Sequence, residues 1–332
     1  MKMWILMTLV SRFFLVFIIL TSCNTNYRTY SISGYTQGTT YNIKYHTNDL
    51  LVSKKSIDSL FSIIDNSMSS YISNSNISKI NSNKTNSLDS MIAYVIKSSI
   101  EICNETNGMF DITVFPIVKD WGFGPKSNFK NNISKNYNVG CEKIKIESGK
   151  IIKENDVMID LNGIAQGFSV DYISKYLLSK NINDFMIEVG GEVKCSGNNL
   201  GARWKIGVQS PNSKNNDFAY ILSLNNFSAA TSGSYRNYYF EDNKKITHTM
   251  NPKTMRPVNS QVLSATIIHD ECMFADAYAT ACMAFSIDES KRFLEDNEIA
   301  GSLLYLSEKD TISFFSKKFN QFLHSFPGSA PQ

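Results

Sequence analysis

The sequence predicts an α+β fold in which mixed or antiparallel sheets and packed helices form one compact domain. Apolar residues recur at helical spacing over 57–68 and 89–106, and short segments of strand character follow at 185–189 and 204–209. We find no internal repeat and no linker that divides the chain cleanly. Hydrophobic residues make up 42% and aromatic residues 12% of the 332 residues, which is enough for a sizeable core and excludes wholesale disorder.

The N-terminus has the pattern of a bacterial export signal. An apolar run over 13–20 follows Lys2 and Arg12, and this run is too short to span a bilayer comfortably. The run ends in Leu20-Thr-Ser-Cys23, which resembles the lipobox of bacterial lipoproteins. In that motif a small residue precedes the cysteine whose thiol is acylated.

We therefore predict a lipoprotein signal peptide over 1–22, a polar tether over 23–34 and a folded domain over 35–332. Acylation of Cys23 would anchor the protein to a membrane of the bacterial cell envelope, outside the cytoplasm on the periplasmic side. The alternative is a plain cleaved signal with an incidental cysteine.

Charge and cysteine content exclude several classes of protein. The formal net charge is +3, and two of the cations, Lys2 and Arg12, lie in the leader, which leaves +1. No basic surplus remains for nucleic-acid binding. Besides Cys23 there are five cysteines, an odd number without a Cys-x-x-Cys pair. This favours buried thiols over a zinc site or a disulfide framework, although one disulfide stays open in an oxidising compartment.

The other elements follow from local patterns along the chain. Residues 35–45 alternate as a strand around a Gly-Thr-Thr turn, and a buried strand is expected over 157–161. A helix is expected over 166–179, and a second helix, rich in small residues, over 275–285. Residues 125–140 are rich in Asn, Lys and Ser and have little periodicity, which is typical of a loop or lid.

The most informative segment is Asp160–Asp171, where a strand ends in a carboxylate and a Gly-containing turn opens a helix. Backbone N–H groups at a helix start carry partial positive charge, so such a corner can receive a phosphate. Gly163 and Gly167 allow close backbone approach there. Because corners of this kind are also common without any ligand, the segment alone leaves both interpretations open.

Asp276 and Thr280 stand at positions i and i+4 of a predicted helix, so both side-chain oxygens lie on one face. A carboxylate and a hydroxyl among small residues suit a hard cation such as Mg²⁺, which keeps waters and substrate phosphates as its other ligands. The alternative is a helix-capping Asp and a Thr that bonds to its own backbone.

Three further segments have two interpretations each. Small hydroxyl residues surround Gly233, which suits a turn that approaches a ligand. His248 could accept a proton in catalysis or serve the structure. Residues 108–113 and 121–124 combine aromatic side chains with tight turns, so they could line a flat heteroaromatic ligand or belong to the core.

In their order, these segments resemble the ApbE-type FAD:protein FMN transferases, which are often periplasmic lipoproteins. The resemblance covers roughly residues 35 to 290 and implies an ApbE-like domain related to the T-fold. The matching segments are Gly38–Tyr41, Met68–Tyr71, Ile77–Asn81, Gly108–Thr113, Pro116, Trp121–Gly124, Asp160–Asp171, Val189–Val193, Thr231–Tyr235, His248–Thr254 and Ala275–Thr280.

The resemblance implies Mg²⁺-dependent transfer of the FMN half of FAD to a Thr or Ser hydroxyl of an exported acceptor protein. AMP would leave, and a phosphoester-linked flavin would remain. By position, the implied catalytic residues are His248, as the base for the attacking hydroxyl, and Asp276. The implied FAD contacts are Gln37, Tyr71, Met109, Phe110, Asp111, Asp160, Gln166 and Thr249, and the implied magnesium ligands are Gly163 (through its carbonyl), Asp276 and Thr280.

Four positions depart from the family pattern. Gln166 stands where many members have Lys, Asn251 replaces the usual Asp, Met255 replaces the usual Gly, and Asn162 replaces a frequent Gly in the turn before Gly163. Gln can still hydrogen-bond a phosphate or ribose, so we expect altered affinity at Gln166 and a structural role for Asn251.

Other functions share these motifs. An FAD hydrolase would release free FMN and AMP, and a non-catalytic flavin-binding lipoprotein would bind FAD without Mg²⁺-dependent release of AMP. A purely structural lipoprotein would not bind FAD at all.

The lipid anchor can be tested by Cys23→Ser. Because a serine hydroxyl cannot form the thioether that carries the lipid, we expect this variant to be soluble or uncleaved. Metabolic labelling with a fatty acid, followed by membrane fractionation, measures the change. Ser22→Ala keeps a small residue before the cysteine and should still be labelled. Lipid label on the Cys23→Ser protein would contradict the prediction.

Overall fold

The structure, a computed structural model, describes residues 27–125, 137–211, 217–234, 238–242, 244–308 and 310–324. The strands in these ranges are Arg28–Thr36 (β1), Thr39–Thr47 (β2), Lys145–Glu147 (β3), Lys150–Ile152 (β4), Asp184–Val189 (β5), Glu192–Ser196 (β6), Trp204–Gln209 (β7), Phe218–Leu224 (β8), Ser228–Gly233 (β9), Tyr238–Glu241 (β10), Lys244–Thr247 (β11), Met250–Asn251 (β12), Arg256–Pro257 (β13), Val262–His269 (β14), Ala300–Ser307 (β15) and Asp310–Phe315 (β16).

The α-helices are Lys54–Met68 (α1), Asn76–Asn81 (α2), Ser90–Glu105 (α3), Phe115–Asp120 (α4), Ala165–Ser179 (α5), Cys272–Ala284 (α6) and Ile287–Asp296 (α7). Short 3-10 helices lie at Ile112–Val114, Cys141–Lys143 and Asn320–Phe322. Within the described part of the chain, no helix combines the length and the apolar character that crossing a bilayer requires.

An eight-stranded sheet organises the fold, in the order β1-β2-β5-β6-β9-β14-β15-β16. All its neighbouring strands are antiparallel. Helices α5 and α6 pack against the central strands β5, β6, β9 and β14. A second apolar cluster joins residues of β6 and β9 to the β7–β8 hairpin and to Phe319 and Phe322. The predicted α+β class, with antiparallel sheet and packed helices, is confirmed.

Side-chain caps set the start of the two predicted N-terminal helices. Ser53 accepts a hydrogen bond from Ser56 N at the start of α1. Asp89 Oδ1 accepts from Met91 N at 3.0 Å and from Ile92 N at 2.9 Å at the start of α3. These bonds satisfy N–H groups that have no partner within the helix, so α1 begins at Lys54, three residues before the predicted segment, and α3 begins at Ser90, within one residue of its predicted start.

The first two strands form a hairpin with a two-residue turn. Gln37 and Gly38 both have positive φ, 51° and 75°, as the tight turn that matches the strand twist requires. The predicted tether over 23–34 is therefore wrong from Arg28 onward, because β1 is part of the sheet. Ile32 is buried and packs in the cluster beneath the hairpin, which is why this segment folds.

The predicted strand over 157–161 is also wrong. The segment is buried and not assigned to any strand, because its backbone bonds to other partners. Ile159 N donates to Asn81 Oδ1 at 2.7 Å, Asn81 Nδ2 donates to Ile159 O at 2.8 Å, and Asp160 N donates to Ile112 O at 2.7 Å. A side-chain amide thus replaces one neighbouring strand. The helix that follows is confirmed as α5.

Two other local expectations have different outcomes. Around Gly233, β9 ends at this glycine, which pairs with Ser264 of β14, and Ser234 begins the expected turn, whose next residues lie outside the described ranges. Most of the loop or lid expected at 125–140 lies outside the described residues.

The crossing of α5 and α6 positions the functional site. A Cβ on Gly167 would lie 2.5 Å from Cys272 O and 2.6 Å from Met273 Cα, so only glycine allows the helices to approach this closely. Asp171 accepts hydrogen bonds from Cys272 N at 3.0 Å and Met273 N at 2.9 Å. This carboxylate caps α6, which begins three residues before the expected start at Ala275.

The five cysteines in the described residues divide into one disulfide and three thiols. Cys103 and Cys141 are joined, which corrects the expectation of buried thiols at these two positions. The expectation is confirmed for Cys195, Cys272 and Cys282, and burial raises the pKa of each thiol. The Asp111 carboxylate lies within 4.8 Å of both disulfide sulfurs, but sulfurs joined in a disulfide are not metal ligands.

Opening the disulfide should destabilise the protein. The two cysteines are 38 residues apart, and for such a loop chain entropy predicts a loss of about 2–4 kcal/mol. Urea unfolding with and without dithiothreitol measures the difference. The Cys103→Ala/Cys141→Ala double variant should unfold at a lower urea concentration and should not respond to reductant. Equal midpoints for the wild type in both conditions would contradict the prediction.

Candidate functional site

Asp276 lies in the second turn of α6, where it faces the start of α5. Its carboxylate is 5% exposed, and Oδ2 accepts a hydrogen bond from Gly167 N at 3.1 Å. Burial raises the pKa of Asp276 to about 7, and the bond from Gly167 opposes that rise. Since α6 begins at Cys272, Asp276 is not a helix-capping residue. A charged side chain in an otherwise apolar helix therefore requires a different explanation.

Thr280 lies one turn further along α6 and completes the predicted pair. Its Oγ1 lies 3.4 Å from Ser232 Oγ of β9. A Cβ on Gly163 would lie 3.2 Å from both Oγ1 and Cγ2 of Thr280, and 3.3 Å from Phe110 Cε2. The structure thus brings together Asp276, Thr280 and the Gly163 turn, as predicted, and adds Ser232.

The donors at this point fit a hard divalent cation. They are a buried carboxylate, hydroxyl groups and the backbone of a turn, and Mg²⁺ prefers oxygen ligands of these types. A buried carboxylate whose pKa is raised by burial is costly to ionise alone, and a neighbouring cation offsets that cost. The residues present therefore fit magnesium.

The start of α5 offers backbone donors beside this point. The residue before the helix, Ile164, provides no side-chain cap. The N–H groups of the first turn carry the positive end of the helix dipole, which favours a phosphate or a carboxylate. One of them, Gly167 N, donates to Asp276.

Gln37 and Gln166 lie on the side of the site formed by two hairpin turns. Gln37 Nε2 donates to Ser169 Oγ at 2.7 Å, and this ties the β1–β2 turn to α5. Gly190 lies in the β5–β6 turn, and a Cβ on this glycine would lie 3.2 Å from Gln166 Nε2. Gln37 Oε1 is buried without a hydrogen-bond partner among the described residues, so it offers an acceptor to a ligand.

A group of aromatic side chains forms the other side. Tyr71 is 63% exposed, and its hydroxyl donates to Phe123 O at 3.3 Å. The Phe123 ring lies 5.4 Å from the ring of Tyr239 and 6.3 Å, nearly edge to face, from that of His248. An exposed ring of this size offers a face on which a planar heteroaromatic ligand can stack.

Met109, Phe110 and Asp111 are buried. The first two side chains belong to the main core, so the core alternative holds for them, and Phe110 also reaches Gly163. Asp111 Oδ1 accepts from Thr113 N at 2.8 Å and Thr113 Oγ1 at 2.7 Å. Burial raises the pKa of Asp111, and these bonds oppose the rise. In the described contacts, this carboxylate supports the local fold.

Asp160 links the two sides. It is buried, accepts a hydrogen bond from Asn162 N at 2.9 Å, and has a pKa that burial raises. Burial raises the pKa of Tyr71, and the charge of Asp160 contributes to that rise. The two residues therefore lie within electrostatic reach of each other.

Thr249 and Asn251 follow His248. Thr249 O accepts from Val258 N at 2.8 Å, which fixes the backbone next to the imidazole. Asn251 Oδ1 accepts from Lys253 N and Thr254 N, so its expected structural role is confirmed. Met255 has φ 57°, a conformation that favours glycine, which explains the usual glycine at this position.

Sequence reasoning missed Ser232, Phe123, Tyr239 and Ser169 as individual site residues. Ser232, Phe123 and Ser169 lie in segments that the sequence had singled out, although no role was assigned to these three residues. Tyr239 carries no local signal, because only the packing of distant segments brings it to the site.

Comparisons with known proteins relate this chain to one family. Residues 37–303 match the sequence model of the ApbE family. An FAD:protein FMN transferase of Vibrio cholerae is 31% identical over 326 residues, covering 92% of this chain and 96% of that protein. One of Haemophilus influenzae is 29% identical, covering 91% and 94%. The structure of the flavin transferase ApbE from Vibrio cholerae has a TM-score of 0.80 at 30% identity, over 90% of this chain and 100% of that chain. That of the Pseudomonas stutzeri flavinyl transferase ApbE, apo form, has a TM-score of 0.80 at 23% identity, which supports the fold.

The charge of Asp276 should make the stability of the metal-free protein depend on pH. Its folded pKa of about 7 lies above the ordinary value of 3.8, so the folded state holds this proton more tightly. Stability should fall from about pH 4 to about pH 7 and then level off. The fall in the free energy of unfolding should be on the order of a few kcal/mol, and Asp276→Asn should abolish it. Urea unfolding in EDTA across this range measures the difference between the two proteins.

Magnesium provides the matching control. At pH 8 it should stabilise the wild type but not Asp276→Asn. Asp160→Asn, which replaces another buried carboxylate, should alter the pH dependence and keep the response to magnesium. An equal magnesium response of wild type and Asp276→Asn would contradict the assignment of Asp276 as a ligand.

Proposed function

Because this chain belongs to the ApbE family and is an FAD:protein FMN transferase, we propose that it uses Mg²⁺ to transfer FMN from FAD to a Thr or Ser hydroxyl of an exported acceptor protein. AMP is the leaving group. The observation that carries this proposal is the meeting of Asp276, Thr280 and the Gly163 turn with the N-terminus of α5. Oxygen ligands for a cation and donors for a phosphate lie side by side there.

Asp276, Thr280 and the Gly163 carbonyl would hold the magnesium ion. When bound, the ion neutralises the charge of the diphosphate and of the departing AMP. Ser232, whose hydroxyl lies 3.4 Å from that of Thr280, supports the orientation of the threonine. Gly167 N fixes Asp276 Oδ2 and leaves Oδ1 for the ion.

The remaining residues bind and orient FAD. Tyr71 presents an exposed ring to the flavin, and Asp160 lies behind it. The N-terminal turn of α5 directs backbone N–H groups toward the diphosphate. Gln37, in the β1–β2 turn, and Gln166, in the first turn of α5 beside the β5–β6 turn, offer amide groups to the nucleotide. Gln166 supplies no positive charge, so neutralisation depends more on the ion and on the helix.

His248 accepts the proton of the attacking hydroxyl. The acceptor oxygen forms a bond to the FMN phosphorus as the bond from that phosphorus to the bridging oxygen breaks. The electron pair of the broken bond leaves with AMP, and the proton moves to the imidazole. The protein thus contributes mainly positioning and electrostatics.

The proposal places the mature protein outside the cytoplasm on a lipid anchor at Cys23. The Cys103–Cys141 disulfide supports this placement, since disulfides persist in oxidising compartments. An acceptor on the same side of the membrane would meet the enzyme there.

A transfer assay tests the proposal. The mature domain from Asn24 onward is incubated with FAD, Mg²⁺ and a Thr-containing acceptor domain of the same organism. In-gel flavin fluorescence after denaturation detects the covalent product, and chromatography measures AMP and FMN. We expect a Mg²⁺-dependent fluorescent band with matching AMP. Free FMN and AMP without a band would indicate hydrolysis, and bound uncleaved FAD would indicate a binding protein.

His248→Ala should slow transfer about 10²–10⁴-fold while FAD binding stays unchanged, because the imidazole is assigned to proton transfer. Single-turnover transfer rates and FAD titration by fluorescence quenching measure the two effects separately. His269→Ala, at a histidine that stacks on Phe274 at the end of β14, serves as the matched control. An unchanged transfer rate in His248→Ala would make this histidine structural.

A further inference from the structure

We propose that Phe123 is a positioning residue that holds His248 in the orientation for proton transfer and couples it to Tyr71. The proposal rests on the transfer activity described above. It assigns a role to the Trp121–Gly124 turn, whose aromatic side chains have no part in the reaction itself.

Two tyrosine hydroxyls hold this turn by its backbone. Tyr71 donates to Phe123 O at 3.3 Å, and Tyr239 donates to Trp121 O at 3.2 Å. The two tyrosines are 168 residues apart in the sequence. Each bonds to one carbonyl of the same short turn, and the two carbonyls belong to residues two positions apart. The position of the turn therefore depends on two segments that are distant in the sequence.

The Phe123 ring packs beside His248, the proposed base, and beside Tyr239. Its centroid lies 6.3 Å from that of His248, at an interplanar angle of 66°, and 5.4 Å from that of Tyr239. An imidazole beside a bulky ring loses rotamers that an open site would allow, and edge-to-face packing favours one orientation. Phe123 therefore restricts the direction of the His248 nitrogens.

Apolar packing also holds the Trp121–Gly124 turn in place. Trp121 and Phe123 pack on the apolar cluster of Ile117, Val118 and Met250, which joins α4 to β12. Gly122 has φ 86°, and a Cβ on Gly124 would lie 3.2 Å from Lys119 Cα, so both glycines let the turn close on α4. A rigid base of this kind is what a positioning residue requires, because looseness in the support becomes misplacement of the base.

The consequence is a link between flavin binding and proton transfer. The hydroxyl of the exposed Tyr71 bonds to the carbonyl of the residue whose ring packs on His248. A flavin that stacks on Tyr71 thus contacts one end of a three-residue chain, and the base is at the other end. Phe123 touches the base and not the reacting atoms, so it acts through His248.

Phe123→Leu tests the role, because it keeps an apolar side chain and removes the ring. We expect the transfer rate constant kcat to fall about tenfold, while the dissociation constant of FAD and the KM of the acceptor change less than twofold. Phe123→Tyr keeps the ring and should retain most of the activity. Phe227→Leu, at a half-buried ring that packs on Phe322 in another cluster, controls for general loss of aromatic packing.

A double-mutant cycle with His248→Ala identifies the route of the effect. If Phe123 acts through the imidazole, Phe123→Leu should not lower the residual single-turnover rate of His248→Ala further. Multiplied effects of the two substitutions would overturn the proposal. So would a loss of FAD affinity in Phe123→Leu equal to its loss of rate, or an equal rate loss in Phe227→Leu.

Failure of the proposed function is visible separately. If the wild type forms no Mg²⁺-dependent flavinylated acceptor, the transfer activity fails before Phe123 is tested. If the wild type transfers FMN and Phe123→Leu transfers it equally fast, only the positioning role is wrong.

Discussion

The close crossing of α5 and α6 is the constraint on which the site depends. Gly167 has no side chain, and this allows the backbone of α6 to approach closely. A Cβ at this position would lie only 2.5 Å from Cys272 O. Three hydrogen bonds require this approach: Gly167 N donates to Asp276, and Cys272 N and Met273 N at the start of α6 donate to Asp171 of α5. One helix thereby fixes the start of the other and the carboxylate of Asp276, the proposed magnesium ligand. A larger residue at this crossing would move all of these groups together.

The two sides of the site are built in different ways. On the side of the proposed magnesium site, Asp276 and Thr280 project from α6, and Ser232 projects from β9. Their positions follow from the packing of α6 against β9. On the side of the proposed flavin site, aromatic rings lie on turns. Hydrogen bonds to backbone carbonyl oxygens hold these turns in place, as the bond from the Tyr71 hydroxyl to Phe123 O does. Rigid placement suits a metal ligand set, whereas a turn allows a planar ring system to enter and leave. Phe110 joins the two sides, because it lies in the core and also contacts Gly163.

Burial of charge explains why this arrangement favours a charged ligand. Asp276 and Asp160 are both buried, and burial raises the pKa of each. An apolar side chain at either position would pack more favourably in the isolated protein, since a buried charge costs free energy. In the proposed function, a cation held by Asp276 would offset this cost. The affinity of the site for its ligands and the stability of the empty protein are therefore opposed, as is common where stability and function compete.

Local sequence determined those features that depend on neighbours in the chain. The cap at Asp89, the Gln37–Gly38 hairpin and the i, i+4 pair of Asp276 and Thr280 each follow from residues within a few positions of one another. The ordered motifs also identified the family. Only the tertiary structure decided that 157–161 bonds to Asn81 instead of a strand, that Cys103 joins Cys141, and that Ser232 and Phe123 lie beside Thr280 and His248. These contacts join residues from 38 to 125 positions apart, and no local pattern specifies which distant partner satisfies a buried group.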